Sequence, residues 1–228
     1  MRTLLDALEF LFTSDNWWGP RGIVARGRAH IWISFVATLL SALIALPSAV
    51  LLAHARRAPV LSVTLVNFGR AIPSLAIVTL VLPFSIRYGF GLGFWPTCVA
   101  LVALGIPPMF ANAYAGVAET PAALTEAGRG IGMTGGELLR KVELPSSLPL
   151  LLTGVRISAV QIVATAALGA LVGHQNLGTF ITEALGRGTP GRPQLVAGAI
   201  LVAGLALVVE VILNRSERRL LPWAGRLR

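Results

Sequence analysis

Apolar residues in this chain are gathered into long runs, and the runs are separated by short stretches that hold most of the charge. A helix that crosses about 30 Å of hydrocarbon needs roughly 20 mostly apolar residues. The first run, Ile31 to Ala53, is uncharged, with Arg26 and Arg28 before it and Arg56 and Arg57 after it. Pro47 lies near its end, where a packed membrane helix tolerates a kink. The second, Ala71 to Ile86, has Pro73 and Pro83 near its ends and is short for a crossing unless Leu61 to Gly69, beyond Arg70, contributes. The third lies in the uncharged stretch from Tyr88 to Ala118. Its start, Gly89-Phe90-Gly91-Leu92-Gly93, reads as a turn, Pro107-Pro108 reads as a break, and the helix is predicted over roughly 94–113. The fourth, Leu150 to Val172, contains Arg156. Gly169 and Gly173 stand four apart there, beside Ala166 and Ala170, a spacing of small residues that lets helix backbones approach in lipid. The fifth, Leu195 to Leu213, has Glu210 near its end.

The fold class this predicts is an all-α integral membrane protein of about five transmembrane helices. Residues 1–30 form an N-terminal segment outside the cytoplasm, 31–213 the membrane domain, and 214–228 a basic cytoplasmic tail. The apolar patch from Ala7 to Phe12 is too short to span and predicts a surface helix; Trp17-Trp18-Gly19-Pro20 after it suits a membrane interface.

Composition supports a lipid-facing exterior: 55% of the residues are hydrophobic and 13% charged, against about 25% charged in soluble domains. The net charge of +9 comes almost wholly from arginines between the apolar runs, which fits membrane topology signals and not a nucleic-acid stripe. With the 119–149 loop and the tail in the cytoplasm, Arg56, Arg57, Arg70, Arg129, Arg140, Lys141 and the tail arginines collect there, as the positive-inside rule requires. Arg2, Arg21, Arg26 and Arg28 then fall outside, against that rule. The lone Cys98 excludes an internal disulfide and reads as a small buried hydrophobe. No secretory signal peptide is expected at the start.

Candidate chemistry is sparse. His174 has no partners at metal-ligand spacing, so no metal site is expected. The chain lacks the Gly-x-x-x-x-Gly-Lys-Ser/Thr phosphate loop, and no catalytic constellation stands out. Arg156 is either a pathway residue or a cation that snorkels to the interface from about two turns beyond Pro149. Glu210 is placed to pair with a tail arginine such as Arg215. Phe90, Phe94 and Trp95 read as interfacial anchors, with a cation–π cage as the alternative.

The polar loop carries the function signal. Pro121 can start a short helix and Gly132 can end it by taking positive φ. Glu126 is placed in the first part of that helix, where the dipole favours a negative charge, and Leu144-Pro145 redirects the chain into the fourth span. Glu126-Ala127-Gly128-Arg129-Gly130-Ile131-Gly132, nine residues, then Val142-Glu143-Leu144-Pro145 resembles the EAA loop of ABC importer permeases. Gly128 replaces the usual second Ala and Val142 the usual Ile, with the spacing unchanged. Arg70-Ala71-Ile72-Pro73-Ser74-Leu75-Ala76, Ala167 to Gly173, Asn176-Leu177-Gly178 and Gly186-Arg187-Gly188 are similar to the osmoprotectant (glycine betaine, choline, carnitine) permeases.

The resemblance implies a type I importer permease in a bacterial cytoplasmic membrane, as a homodimer or with a paralogue, whose path lies between the two copies. It implies a separate ABC ATPase subunit that binds ATP and receives the loop at Glu126, Ala127, Gly128, Arg129, Gly132, Leu144 and Pro145. It further implies an extracytoplasmic substrate-binding protein on the loops 87–94 and 173–194, and no cofactor held by this chain. Another small solute, such as methionine or an organic anion, stays open, as does an ATPase-independent channel.

Overall fold

The computed structural model describes residues 2–57, 64 and 73–220, which are helical almost throughout and contain no strand. The helices are α1 (Arg2–Phe12), α2 (Ile23–His54), α3 (Ser74–Arg87), α4 (Phe94–Ala118), α5 (Ala122–Gly130) and α6 (Gly135–Leu138). A widened π turn, Leu139–Glu143, joins α6 to α7 (Leu144–Thr165), which a 3-10 segment extends over Ala166–Val172. Then come α8 (Gly178–Gly186), a 3-10 turn (Thr189–Gly191) and α9 (Arg192–Leu220).

Four of these stretches are long and apolar enough to cross a membrane: Ile23–His54, Phe94–Ala118, Gly135–Val172 and Thr189–Leu220. The fifth, α3, is apolar but has 14 residues, about 21 Å of helix. The stretch Leu61 to Gly69 that would lengthen it, with Arg70, Ala71 and Ile72, lies outside the described residues except Thr64, as do Arg226 and Arg228 of the tail. The boundaries drawn at 30/31 and 213/214 both fall inside continuous helices, α2 and α9.

The core is a triad of α2, α4 and α7. Ile33 and Ala37 meet Cys98, Leu101, Ile162 and Ala166 at one level. Ala45 and Ala49 meet Met109, Phe110 and Ala113 at the next, and Val50, Ala53 and Val117 close the end that meets the 119–149 loop. Lipid supplies no hydrophobic drive between such helices, so close backbone approach has to hold them. Gly105, Gly154 and Gly116 provide it: a Cβ on each would stand 2.6 Å from Ser41 Oγ, 2.8 Å from Asn112 Cβ and 3.0 Å from Ser147 Cβ, respectively.

Two proline expectations are corrected. Pro107-Pro108 does not end the third span; α4 continues to Ala118. Packing against neighbouring helices holds a membrane helix through such a pair. On either side of the carbonyls that lose their donors, Ser41 Oγ donates to the Val102 carbonyl at 3.2 Å and Ser158 Oγ to the Gly105 carbonyl at 2.8 Å, tying α4 to α2 and α7. Nor does Leu144-Pro145 redirect the chain, because the helical run continues from Gly135 to Val172. The π turn lies where the Pro145 ring would press on the Lys141 carbonyl, and a wider turn relieves that clash.

Helix α1 lies on the bundle surface. Ala7 is buried, and Phe10 and Leu11 pack beside Ile23, Leu177, Phe180 and Val202. Leu4, Leu5, Leu8 and Phe12 are exposed. Arg26, one of the cations that the expected topology puts outside, is buried, and its guanidinium donates to both carboxylate oxygens of Glu183, at 2.6 and 3.1 Å. It also lies 4.3 Å above the Phe180 ring. Burial pushes the Glu183 carboxyl up, but hydrogen bonding and charge from Arg26, with Gln194 and Arg187, hold it below the ordinary carboxylate range.

Candidate functional site

The elbow between α4 and α7 is built from local rules. Pro121 precedes α5 as its N-cap. At the other end Gly132 has φ +83°; its N–H bonds to the Arg129 carbonyl and that of Met133 to the Gly128 carbonyl, both at 3.0 Å. This is a Schellman ending, with the left-handed residue that glycine adopts without strain. Thr125 and Gly128 face inward. A Cβ on Gly128 would stand 2.8 Å from Leu138 Cδ1 and 3.3 Å from Met133 Sδ, so Leu138 takes the space an alanine methyl would need.

Glu126 sits at the middle of α5, not in its first part as the sequence suggested. Glu126, Ala127 and Arg129 are exposed, and among the described residues neither charge has an ion-pair partner. Leu124, Ala127 and Ile131 recur at i, i+3 and i+7; Ile131 is 76% exposed. Together they make an exposed apolar row flanked by the charges of Glu126 and Arg129.

Behind α5 the chain turns back through a capping box. Thr134 Oγ1 accepts from the Glu137 N–H, and the Glu137 carboxylate accepts from the Thr134 N–H at 3.1 Å. Lys141 donates to the same carboxylate at 2.9 Å. The Lys141 hydrogen bond, then those from Thr134, hold the Glu137 carboxyl down at about 2. Leu144 and Pro145 open α7, and Leu144 packs against the Val50, Ala53 and Val117 cluster.

Two contacts that spacing did not suggest tie α2 to this elbow. His54 Nδ1 lies 2.5 Å from Glu143 Oε2, and Glu143 is buried. Arg56, beyond the end of α2, takes φ +52° and donates to the Ala118 carbonyl at 3.1 Å, at the end of α4.

The remaining candidates lie elsewhere. Arg156 does not stand alone: it faces Glu210 and Glu217 of α9, each at 3.3 Å. The partner of Glu210 is thus Arg156 and not Arg215. Gly169 is tightly packed, since a Cβ there would lie 2.6 Å from Thr97 Cγ2. Gly173 has a different job, taking φ +91° as the left-handed end of the segment, with His174 N bonded to the Gly169 carbonyl. Phe90, Phe94 and Trp95 pack edge to face on one another. Among the described residues no three His, Cys, Asp or Glu side chains converge at metal-binding distance.

Comparison with known proteins agrees with this geometry. The family model for the inner membrane component of binding-protein-dependent transport systems matches residues 37–222. The carnitine transport permease protein OpuCB of Listeria monocytogenes is 37% identical over 97% of both chains. The choline transport system permease protein OpuBB of Bacillus subtilis is 34% identical over 85% of this chain and 86% of that one. The osmoprotectant import permease protein OsmY of Salmonella typhimurium is 34% identical over 86% and 81%. Among solved structures, a chain of the inward-facing MetNI methionine ABC transporter superposes with TM-score 0.76 at 26% identity, covering 91% of this chain and 99% of that one. A chain of an amino acid ABC transporter, at 17% identity and TM-score 0.71, shares the fold. Helices, elbow and relatives thus lead to one family: this chain belongs to the inner-membrane components of binding-protein-dependent transport systems and is a multi-pass permease subunit of a bacterial ABC importer.

Proposed function

We propose that this permease imports quaternary-ammonium osmoprotectants, of the carnitine, choline and glycine betaine kind, and is driven by a separate ATPase subunit that docks on α5. The solute class is supported by the relatives, which are named for carnitine and choline. The docking is supported by one observation above others: α5 and its cap present Leu124, Ala127 and Ile131 exposed, beside Glu126 and Arg129, which have no ion-pair partner among the described residues. In this reading Glu126 and Arg129 meet polar groups of the ATPase and Ala127 belongs to the apolar contact. Gly128 and Gly132 give the helix its seat and its ending, and Leu144 and Pro145 pass the load to α7. ATP is bound and hydrolysed by the partner, and this chain holds no cofactor. A second permease copy or paralogue completes the path, with Arg156 beside it. A solute-binding protein docks on the far side, on 87–94 and 173–194.

Methionine is the second reading, favoured by the likeness to the MetNI chain. Both are tested by purifying the chain with its ATPase and reconstituting the complex with a solute-binding protein. ATPase activity stimulated by carnitine, choline or glycine betaine supports the first reading; stimulation by methionine alone replaces it. Glu126→Arg should abolish stimulation while leaving the protein inserted, and a normally stimulated variant refutes the docking role.

A further inference from the structure

A buried carboxylate needs a partner that satisfies it, because a charge left alone in a dry site is costly. Glu143 is 2% exposed, and the hydrogen bond described for its side chain is the one to His54 Nδ1, at 2.5 Å. The π turn sets this up. By returning residue i+5 towards the side of residue i, it brings Glu143 inward together with Leu138, also 2% exposed. Gly135, the first residue of α6, lies on the other side, with His54 Nε2 3.5 Å from where a Cβ on that glycine would stand. His54 is therefore placed against the segment Gly135–Glu143, which follows α5 and leads into α7.

The contact is at a junction. Two positions past His54, Arg56 donates to the Ala118 carbonyl, and Tyr114 Oη donates to the Arg57 carbonyl at 3.1 Å. The cytoplasmic end of α2 is thus fastened to the helix entering the elbow and to the helix leaving it. Coupling between distant sites is carried by contiguous contacts of this type. A push on α5 that shifts the start of α7 against the end of α2 carries His54 with it or breaks its bond.

We propose that His54 and Glu143 form a positioning pair that makes α2 follow the elbow, so that ATPase work on α5 moves the membrane helices as well as the loop. This rests on the docking of an ATPase at α5. Nδ1–H of His54 is the donor, and an asparagine amide nitrogen occupies nearly the same place, whereas leucine fills the volume without a donor.

The test uses the complex of permease, ATPase and solute-binding protein in proteoliposomes. The probe is whichever of carnitine, choline and glycine betaine stimulates the wild type. The quantity read is solute imported per ATP hydrolysed. His54→Leu should still bring down the ATPase and allow hydrolysis, but the ratio should fall about tenfold, the size of a typical coupling between sites. His54→Asn should restore it to within about twofold. Glu143→Leu removes the acceptor and covers the case where His54→Leu does not fold; its ratio should also fall while the ATPase stays bound. A wild-type ratio in His54→Leu or in a folded Glu143→Leu overturns the proposal, as does a loss in His54→Asn as deep as in His54→Leu. A wild-type complex that binds no ATPase defeats the docking reading itself, a separate and recognisable result.

Discussion

Replacing Gly169 with alanine adds one methyl group at the tightest point between α7 and α4. The new Cβ would stand 2.6 Å from Thr97 Cγ2, 2.8 Å from Thr97 Oγ1 and 3.2 Å from Thr97 Cβ. Thr97 has little freedom to yield. It is buried in the first turn of α4, and its hydroxyl donates to the Gly93 carbonyl at 2.6 Å. Overpacking of this kind costs about 1–3 kcal/mol. Rotating Thr97 away breaks its hydrogen bond, which adds about 1 kcal/mol. The expected loss is therefore about 2–4 kcal/mol. It should appear as a lower unfolding midpoint of the purified protein in detergent, with the fold retained at low temperature. Thr97→Ala removes the two nearest atoms, so the double variant should be more stable than the sum of the single effects predicts by about 1–2 kcal/mol. Strictly additive effects, or a Gly169→Ala protein as stable as the wild type, would refute the close-packing account.

Gly132→Val puts a β-branched residue at φ +83° and should cost about 1–2 kcal/mol in the elbow; faster hydrogen exchange at Met133 with unchanged exchange in α2 would confirm a local effect. Thr134→Ala removes the capping acceptor and should loosen α6 by about 1 kcal/mol, again read by hydrogen exchange. Glu137 has its carboxyl lowered from 4.5 to about 2, so its support of the capping box is complete above the unfolded value and fades as pH falls from about 4.5 towards 2. Glu137→Gln should flatten that acid dependence; an unchanged profile would assign it to other groups. Arg26→Met leaves a partly exposed Glu183 without its partner and should cost about 1–3 kcal/mol, discounted from a fully buried pair. The readout is the thermal midpoint, and a shift absent in this variant would show the pair to be unimportant for stability.

Features governed by local chemistry were legible in the sequence. The five apolar runs follow from what hydrocarbon tolerates, and each has its helix, although α3 is described only from Ser74. Gly132 was readable as a helix ending because a glycine after a short polar helix is a local signal. Misreadings came where distant residues decide. Pro107-Pro108 read as a break because the contacts of α4 with α2 and α7, which hold it through the pair, are invisible in the local pattern. Helix α2 begins at Ile23, before the uncharged run that Arg26 and Arg28 precede, because its early polar residues find distant partners. In the fold Arg26 has Glu183, 157 positions away, and His30 has the Val163 carbonyl at 2.8 Å. Within the candidate site the exposed row on α5 was partly legible, but its clamp was not: His54 and Glu143 are 89 positions apart, and no motif links them.

The interlocking of α2, α4 and α7 has a mechanical consequence. Backbones that meet across glycines, with serine hydroxyls bonded from one helix to the next, leave little slack for the middles of these helices to shift against one another. Relative movement is easier at their ends, beside the elbow, and at the margin, where α3 buries Val78 and Ser85 within Ser74–Arg87.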